Sequence, residues 1–223
     1  MKAILGRSSL MLAVLLSGLF VSSVTSATTT WTDWTSASTG NPGSAGGTLN
    51  GVAVNYSGEV LSNRVINGSA TNWLPNSSFI GGTVTDSPST VGDIITLAGA
   101  FTGTNTITFA SPILNPVLAI WSLGAGSPAS FMFNQAPTFE AGGPNAQFGG
   151  GPITISGNTV TGREGNGVAQ FSGSVTSISW TDTPEFYYGF TVGTAGAVPE
   201  PSAYLLLGAG LGLVAFAVRR VRR

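Results

Sequence analysis

Residues 117–123 read VLAIWSL, and the reading of this run decides the fold. It is the most apolar stretch between the two ends of the chain, yet it is only seven residues long. Asn115-Pro116 precedes it and Gly124 follows it. A run this short, closed off by proline and glycine, reads as a central strand buried on both faces. Its neighbours have the same grain. GTLNGVAVNYSGEV (47–60) alternates around Leu49, Val52, Val54 and Tyr56, and ITISGNTVTG (153–162) reads as two strands joined at Gly157-Asn158. Further strands are expected at GGTVT near Val84, DIITLAGAF from Asp93, TNTITFA from Thr104 and SFMFN from Ser130. GVAQFSG from Gly167, TSISWT from Thr176 and FYYGFTV from Phe186 complete the set. No helical period is visible from Thr28 to Ala197.

Roughly ten to twelve short strands at this spacing point to an all-β domain, an antiparallel β-sandwich of jelly-roll type. The lack of crossover helices excludes a parallel α/β sheet. A β-solenoid is the lesser alternative, since no repeat of fixed period stands out.

The chain has 223 residues, 32 glycines, no cysteine and only 8% charged residues. Its 42% hydrophobic content separates it from disordered chains of similar polarity. Without cysteine there is neither a disulfide framework nor thiol chemistry. Charge is unevenly placed. Between the ends stand eight acids (Asp33, Glu59, Asp86, Asp93, Glu140, Glu164, Asp182, Glu185) and only two bases, Arg64 and Arg163. An acidic body repels phosphate backbones, which argues against a nucleic-acid partner.

Both ends are basic and apolar. Lys2 and Arg7 precede an apolar run from about Leu10 to Val24, followed by Thr25, Ser26 and Ala27. This is the pattern of a secretory signal peptide, residues 1–27, with signal peptidase expected to cut after Ser26 or Ala27. Residues 194–198 read as a short stalk after a domain spanning 28–193. Then come Pro199-Glu200-Pro201, an uncharged apolar run over about 203–218, and Arg219, Arg220, Arg222 and Arg223. As a helix the run spans ~24 Å, short of the ~30 Å hydrocarbon core, and arginines that snorkel narrow the gap. Arginines beside an apolar span mark the cytoplasmic side, so the domain is expected outside and the tail inside.

Pro-Glu-Pro, a short membrane helix and an arginine cluster, in that order at the C-terminus, resemble the PEP-CTERM family of exported bacterial proteins. The resemblance covers about the last twenty-five residues. It implies that an exosortase, a membrane-embedded cysteine transpeptidase, recognises Pro199, Glu200 and Pro201 and removes the tail. The membrane anchor is then transient, and the domain is released or attached at the cell surface. The family occurs in Gram-negative bacteria that make exopolysaccharide and form biofilms. The motif suits a protease handle, because two prolines hold the segment extended and keep it out of the helix.

Between the terminal signals there is no His, Cys or Lys. That removes Ser-His-Asp and Cys-His nucleophiles, Schiff bases and ordinary zinc sites. GGPNAQFGGGP (142–152) lacks the lysine of a phosphate loop and reads as surface loop. Carboxylates are the only candidate catalysts, and Glu140, Glu164, Asp182 and Glu185 are those from which a glycosidase pair would come. Solvated loop acids are the favoured reading, so no catalytic residue, metal or cofactor is assigned. Asp86 and Asp93 do not match the spaced acids of a calcium loop.

Trp121 and Trp180 lie in apolar strand patterns and are expected in the core. Trp31, Trp34 and Trp73 stand among polar residues and are the candidates for exposed glycan contact, with packing over a sheet edge as the competing role. Tyr187 and Tyr188 are further aromatics able to stack on a sugar. The function expected from sequence is an exported structural or adhesive protein associated with exopolysaccharide. A carbohydrate-binding module is the alternative, and a carboxylate-dependent polysaccharide-degrading enzyme ranks below it.

Overall fold

The computed structural model describes residues 28–68, 71–89 and 93–195. Strands run through all of it: β1 (Thr30–Trp31), β2 (Asp33–Ser38), β3 (Gly40–Leu49), β4 (Val52–Val60), β5 (Ile95–Leu97), β6 (Asn105–Leu114), β7 (Pro116–Leu123) and β8 (Ala129–Phe133). They continue with β9 (Thr138–Gly142), β10 (Gly151–Pro152), β11 (Thr154–Ser156), β12 (Thr159–Gly162), β13 (Gly165–Gln170), β14 (Ser174–Asp182) and β15 (Tyr188–Thr194). The one helical element among the described residues is a 3-10 turn at Asn76–Ser78.

Two sheets result. One has the order β1-β15-β7-β13-β10, with β5 also on β15 and β9 also on β13. The other is β11-β12-β8-β14-β6-β4-β3-β2. All pairings are antiparallel except the two-residue pair of β10 with β13. The expected all-β, antiparallel two-sheet architecture is therefore present.

Alternation along the strands explains how the layers close. In β7 every residue is buried. Leu118 and Ile120 join the core between the sheets, whereas Val117, Ala119 and Trp121 join a second apolar cluster with Trp73, Phe79, Val84 and Ile94. The segment from Val65 to Ile94 thus supplies the apolar cover for the outer face of β7. Between the sheets, aromatic rings interlock: Trp180 lies 5.1 Å from Phe190 edge-on, Tyr56 5.0 Å from Phe190, and Phe131 5.0 Å from Tyr188. Edge-to-face pairs of this kind add ~0.5–1.5 kcal/mol each beyond their burial.

Several boundaries differ from the sequence reading. The run 47–60 is not one strand. Asn50 (φ 51°) and Gly51 (φ 79°) form a two-residue turn between Leu49 and its partner Val52. Positive φ at both central residues is the type I′ geometry that Asn-Gly favours. The hairpin at Gly157-Asn158 stands as expected, with Ser156 opposite Thr159. GGTVT contributes only an isolated bridge between Gly81 and Val84. The last strand begins at Tyr188 rather than Phe186, which is 86% exposed. That strand also takes in Thr194, and Ala195 is buried, so the first two residues of the expected stalk belong to the fold.

Among the described residues no helix is long and apolar enough to cross a membrane. The signal peptide at 1–27, Pro199-Glu200-Pro201, the apolar run at about 203–218 and the arginine tail lie outside the described residues.

Candidate functional site

Two of the three tryptophans expected at the surface are buried. Trp34 is fully enclosed, and its indole N–H donates to Thr191 Oγ1 at 3.1 Å. Trp73 is also fully enclosed and meets Phe79 edge-on at 5.2 Å. Trp31 is half-buried, donating from Nε1 to the Asp86 carbonyl at 3.0 Å. The glycan-contact reading of Trp34 and Trp73 is therefore corrected: in β2 the polar neighbours of Trp34 face the opposite way, and Trp73, in a turn, is enclosed in the apolar cluster with Phe79, Val84 and Ile94. Trp121 and Trp180 are in the core, as expected.

The four acids considered for catalysis separate into three settings. Glu140 Oε2 accepts from the Thr83 amide at 2.7 Å and the Thr83 hydroxyl at 3.0 Å, pinning a loop to β9. Asp182 sits in a buried network around Asn105. Asn105 Oδ1 accepts from the Tyr56 hydroxyl (2.7 Å) and the Glu59 amide (3.0 Å), while its Nδ2 donates to Asp182 Oδ2 (3.0 Å). Burial pushes the Asp182 carboxyl up to about 6, and the Glu59 charge adds to the rise. Burial also raises the Tyr56 and Tyr188 hydroxyls. Glu59 caps this network by accepting from the Ala98 and Ala100 amides. These groups act as an internal tie.

Glu164 and Glu185 are brought together. The Glu164 amide donates to the Gly124 carbonyl, and the Gly124 amide donates to Glu185 Oε1 at 2.7 Å. Both acids are thus tethered to the residue that ends the 117–123 run. Burial pushes the Glu185 carboxyl up to about 7, opposed by the Gly124 and Ala125 amides and reinforced by the nearby charge of Glu164. Glu185 Oε2 is buried with no partner.

Beside them lies a pocket of about 200 Å³ lined by Ser122, Ala125, Phe148, Glu164, Phe186 and Tyr187. Its walls are mainly aromatic. Tyr187 and Phe148 lie 6.2 Å apart, and each packs on Trp121, at 5.8 and 5.6 Å. Phe148 is about half exposed, at 48%, so aromatic surface is offered to solvent rather than spent on the core.

Local structure holds the pocket in shape. Between Gly165 and Gly167 the register shifts, three steps of β7 (Leu123 to Ile120) against two of β13, so β7 bulges at Trp121–Ser122. Ser122 (φ 57°) and Glu164 (φ 49°) both adopt the left-handed region, which non-glycine residues occupy at a cost of ~1–2 kcal/mol. The Ser122 hydroxyl then donates to Glu164 Oε2. Asn166, fully buried, accepts from the Ser122 amide (2.8 Å) and from Asn145 Nδ2 (3.0 Å) on one oxygen. Asn145 in turn accepts from the Phe148 amide, fixing the glycine-rich loop over the site. Gly150 allows the closest approach, since a Cβ there would collide with the Glu164 carbonyl.

Sequence reasoning had Glu164, Glu185 and Tyr187 in view but missed Phe148, which it passed over as loop. An aromatic flanked by glycines and glutamine, with no apolar neighbour to pack against, was the available signal. A second, more open recess of about 270 Å³ is lined by Thr35, Ser36, Ala37, Arg64 and Ile66. Arg64 donates there to the Ala37 and Ser62 carbonyls. Among the described residues no group of three or more His, Cys, Asp or Glu stands where a metal ion would be held. Asp93, whose spacing did not fit a calcium loop, accepts from the Trp34 amide at 3.1 Å.

Comparison with known families matches residues 197–223 to the PEP-CTERM protein-sorting motif. No curated protein and no solved structure matches the chain.

Proposed function

We infer from the C-terminal match that the chain is exported to the cell surface and handled by an exosortase. From that premise we propose that the protein is a non-catalytic adhesive component of the cell-surface or exopolysaccharide matrix, holding saccharide in the Phe148–Tyr187 pocket. The observation that carries this reading is the pocket itself: exposed aromatic faces beside fixed polar groups, in a chain sorted outward. Sugars present apolar C–H faces and polar rims, and aromatic walls with a few placed hydrogen-bonding groups suit them. The volume is suited to about one sugar ring rather than a long chain segment.

The topology agrees with this reading. The strand orders β5-β15-β7-β13 and β6-β14-β8-β12 support reading the two sheets as a jelly roll, an architecture that lectin domains share. Fold by itself assigns no function, and the argument rests on the site. Processing would begin from an inner-membrane intermediate, domain outside and Arg219–Arg223 inside, and would remove the tail at Pro199-Glu200-Pro201.

The test is glycan-array binding by the full chain in detergent, alongside Phe148→Ala and Tyr187→Ala. Wild-type binding that both variants lose, with unchanged circular dichroism, supports the reading; binding to no glycan overturns it. Intact Arg219–Arg223 on protein recovered from the mature surface would overturn the processing step.

A second reading, a retaining or inverting glycosidase, is favoured by one observation. Burial pushes the Glu185 carboxyl up to about 7, the direction that suits a general acid, and Glu164 stands beside it as the second carboxyl such an enzyme needs. Against it, Ser122 and Gly124 already engage both carboxylates. Release of reducing ends from polysaccharide by wild type but not by Glu164→Gln or Glu185→Gln would favour the enzyme.

A further inference from the structure

We infer that the pocket selects a glycan carrying free amines, such as a deacetylated hexosamine chain, over its neutral or N-acetylated counterparts. This rests on the reading that the pocket holds saccharide, and it names the class of sugar.

The argument begins with charge. Glu164 lines the pocket and Glu185 is tethered beside it through Gly124. The described residues contain only two cations. Arg64 donates to the Ala37 and Ser62 carbonyls at the other recess, and Arg163, next to Glu164 in sequence, is exposed. The hydrogen bonds to the pair come from neutral donors: the Ser122 hydroxyl on Glu164, and the Gly124 and Ala125 amides on Glu185. One acceptor, Glu185 Oε2, is buried without any donor.

Aromatic faces sharpen the choice. Tyr187, Phe148 and Phe186 present ring surface beside the carboxylates. A cation over an aromatic face gains ~0.5–2 kcal/mol, more as it is desolvated. Carboxylates and π faces together favour an ammonium and disfavour a uronate or sulfated sugar, whose anions would meet Glu164. The rest of the body reinforces this, with eight acids against two bases attracting a polycationic chain before it docks. In the bound state the sugar amine donates to Glu164 while the C–H face of the same ring lies on Tyr187 or Phe148. No bond is made or broken.

The experiment compares three oligosaccharides of equal length, built from glucosamine, N-acetylglucosamine and glucose, by calorimetry with the full chain in detergent. Emission of Trp121, which packs on both Tyr187 and Phe148, provides a second readout at the pocket. The expected result is at least tenfold tighter binding of the glucosamine oligomer. Glu164→Gln, which keeps an acceptor for Ser122, brings that ratio towards one, and Phe148→Ala weakens binding at least tenfold. Phe139→Ala, an equally exposed aromatic on β9, changes nothing.

Equal affinity for the glucosamine and N-acetylglucosamine oligomers overturns the amine selectivity and leaves the saccharide reading intact. Glucosamine binding that survives both Glu164→Gln and Phe148→Ala overturns the site, since attraction to the acidic body alone would explain it. Failure to bind any of the three refutes the amine inference; whether the pocket takes another sugar is then decided separately by the glycan array.

Discussion

Glu185 offers a measurable coupling between pH and stability. Its carboxyl lies at about 7 in the folded protein, against 4.5 for an unperturbed glutamate. The native state therefore holds this proton more tightly than the unfolded chain does. Wherever the native state binds more protons, stability falls as pH rises. The stabilising difference is fully present below about 4.5 and is lost as pH climbs through about 7. At ~1.36 kcal/mol per pH unit, the gap sets a ceiling of roughly 3 kcal/mol. Glu185 is only half-buried, and solvent screening reduces that to about 1–2 kcal/mol. Glu185→Gln removes the titration while keeping an oxygen to accept from Gly124. At pH 8 the variant should be more stable than wild type by about 1–2 kcal/mol, and near pH 4.5 the advantage should vanish. For a domain of this size that corresponds to ~2–8 °C in melting temperature. The assay is thermal unfolding by circular dichroism from pH 4.5 to 8 at fixed ionic strength. Asp93 and Asp182, both pushed up to about 6 by burial, tilt both curves alike, so the difference isolates Glu185. Parallel curves for variant and wild type would refute the argument that this carboxyl is desolvated.

Four further outcomes are expected. Trp73→Ala, which empties a site against Phe79 on the outer face of β7, should cost ~3–5 kcal/mol in urea unfolding while leaving saccharide affinity of the folded fraction unchanged. Asn105→Ala strips partners from the Tyr56 hydroxyl, the Glu59 amide and Asp182 at once, so a loss of ~3 kcal/mol or more is expected from the same measurement. Gly51→Ala should destabilise by ~1–2 kcal/mol from its positive φ alone, because a Cβ there meets nothing within 4 Å; Gly126→Ala, equally open but without positive φ, should be neutral or slightly stabilising. In cells, Pro199→Ala with Pro201→Ala should leave the arginine tail on the protein, read by mass spectrometry of the surface fraction.

How much was legible in the sequence follows from the range of the forces involved. Strand β7 was readable because burial on both faces forces an unbroken apolar run, and proline and glycine close it locally. The sorting motif was readable for a similar reason: its three blocks are contiguous. Trp34 misled because its neighbours Asp33 and Thr35 are polar, yet alternation in β2 sends those two outward and the indole inward onto Thr191. The polarity of immediate neighbours therefore measures the opposite face of a strand, not the face of the residue in question. The pocket lay beyond this kind of reading altogether. Ser122, Phe148, Glu164 and Tyr187 come from the end of one strand and three separate loops, and they meet only because β7 pairs with both β13 and β15. Glu140, Glu164, Asp182 and Glu185 were equivalent in sequence, and that pairing alone divides them. It places two beside an aromatic recess and commits the other two to a loop clasp and an internal network. Should the β7 bulge be removed by deleting Ser122, Trp121 and Leu123 would regain regular pairing with β13 and Glu164 would lose its hydroxyl donor. The fold would persist with saccharide binding gone, whereas binding that survived the deletion would show that the recess does not depend on the bulge that shapes it.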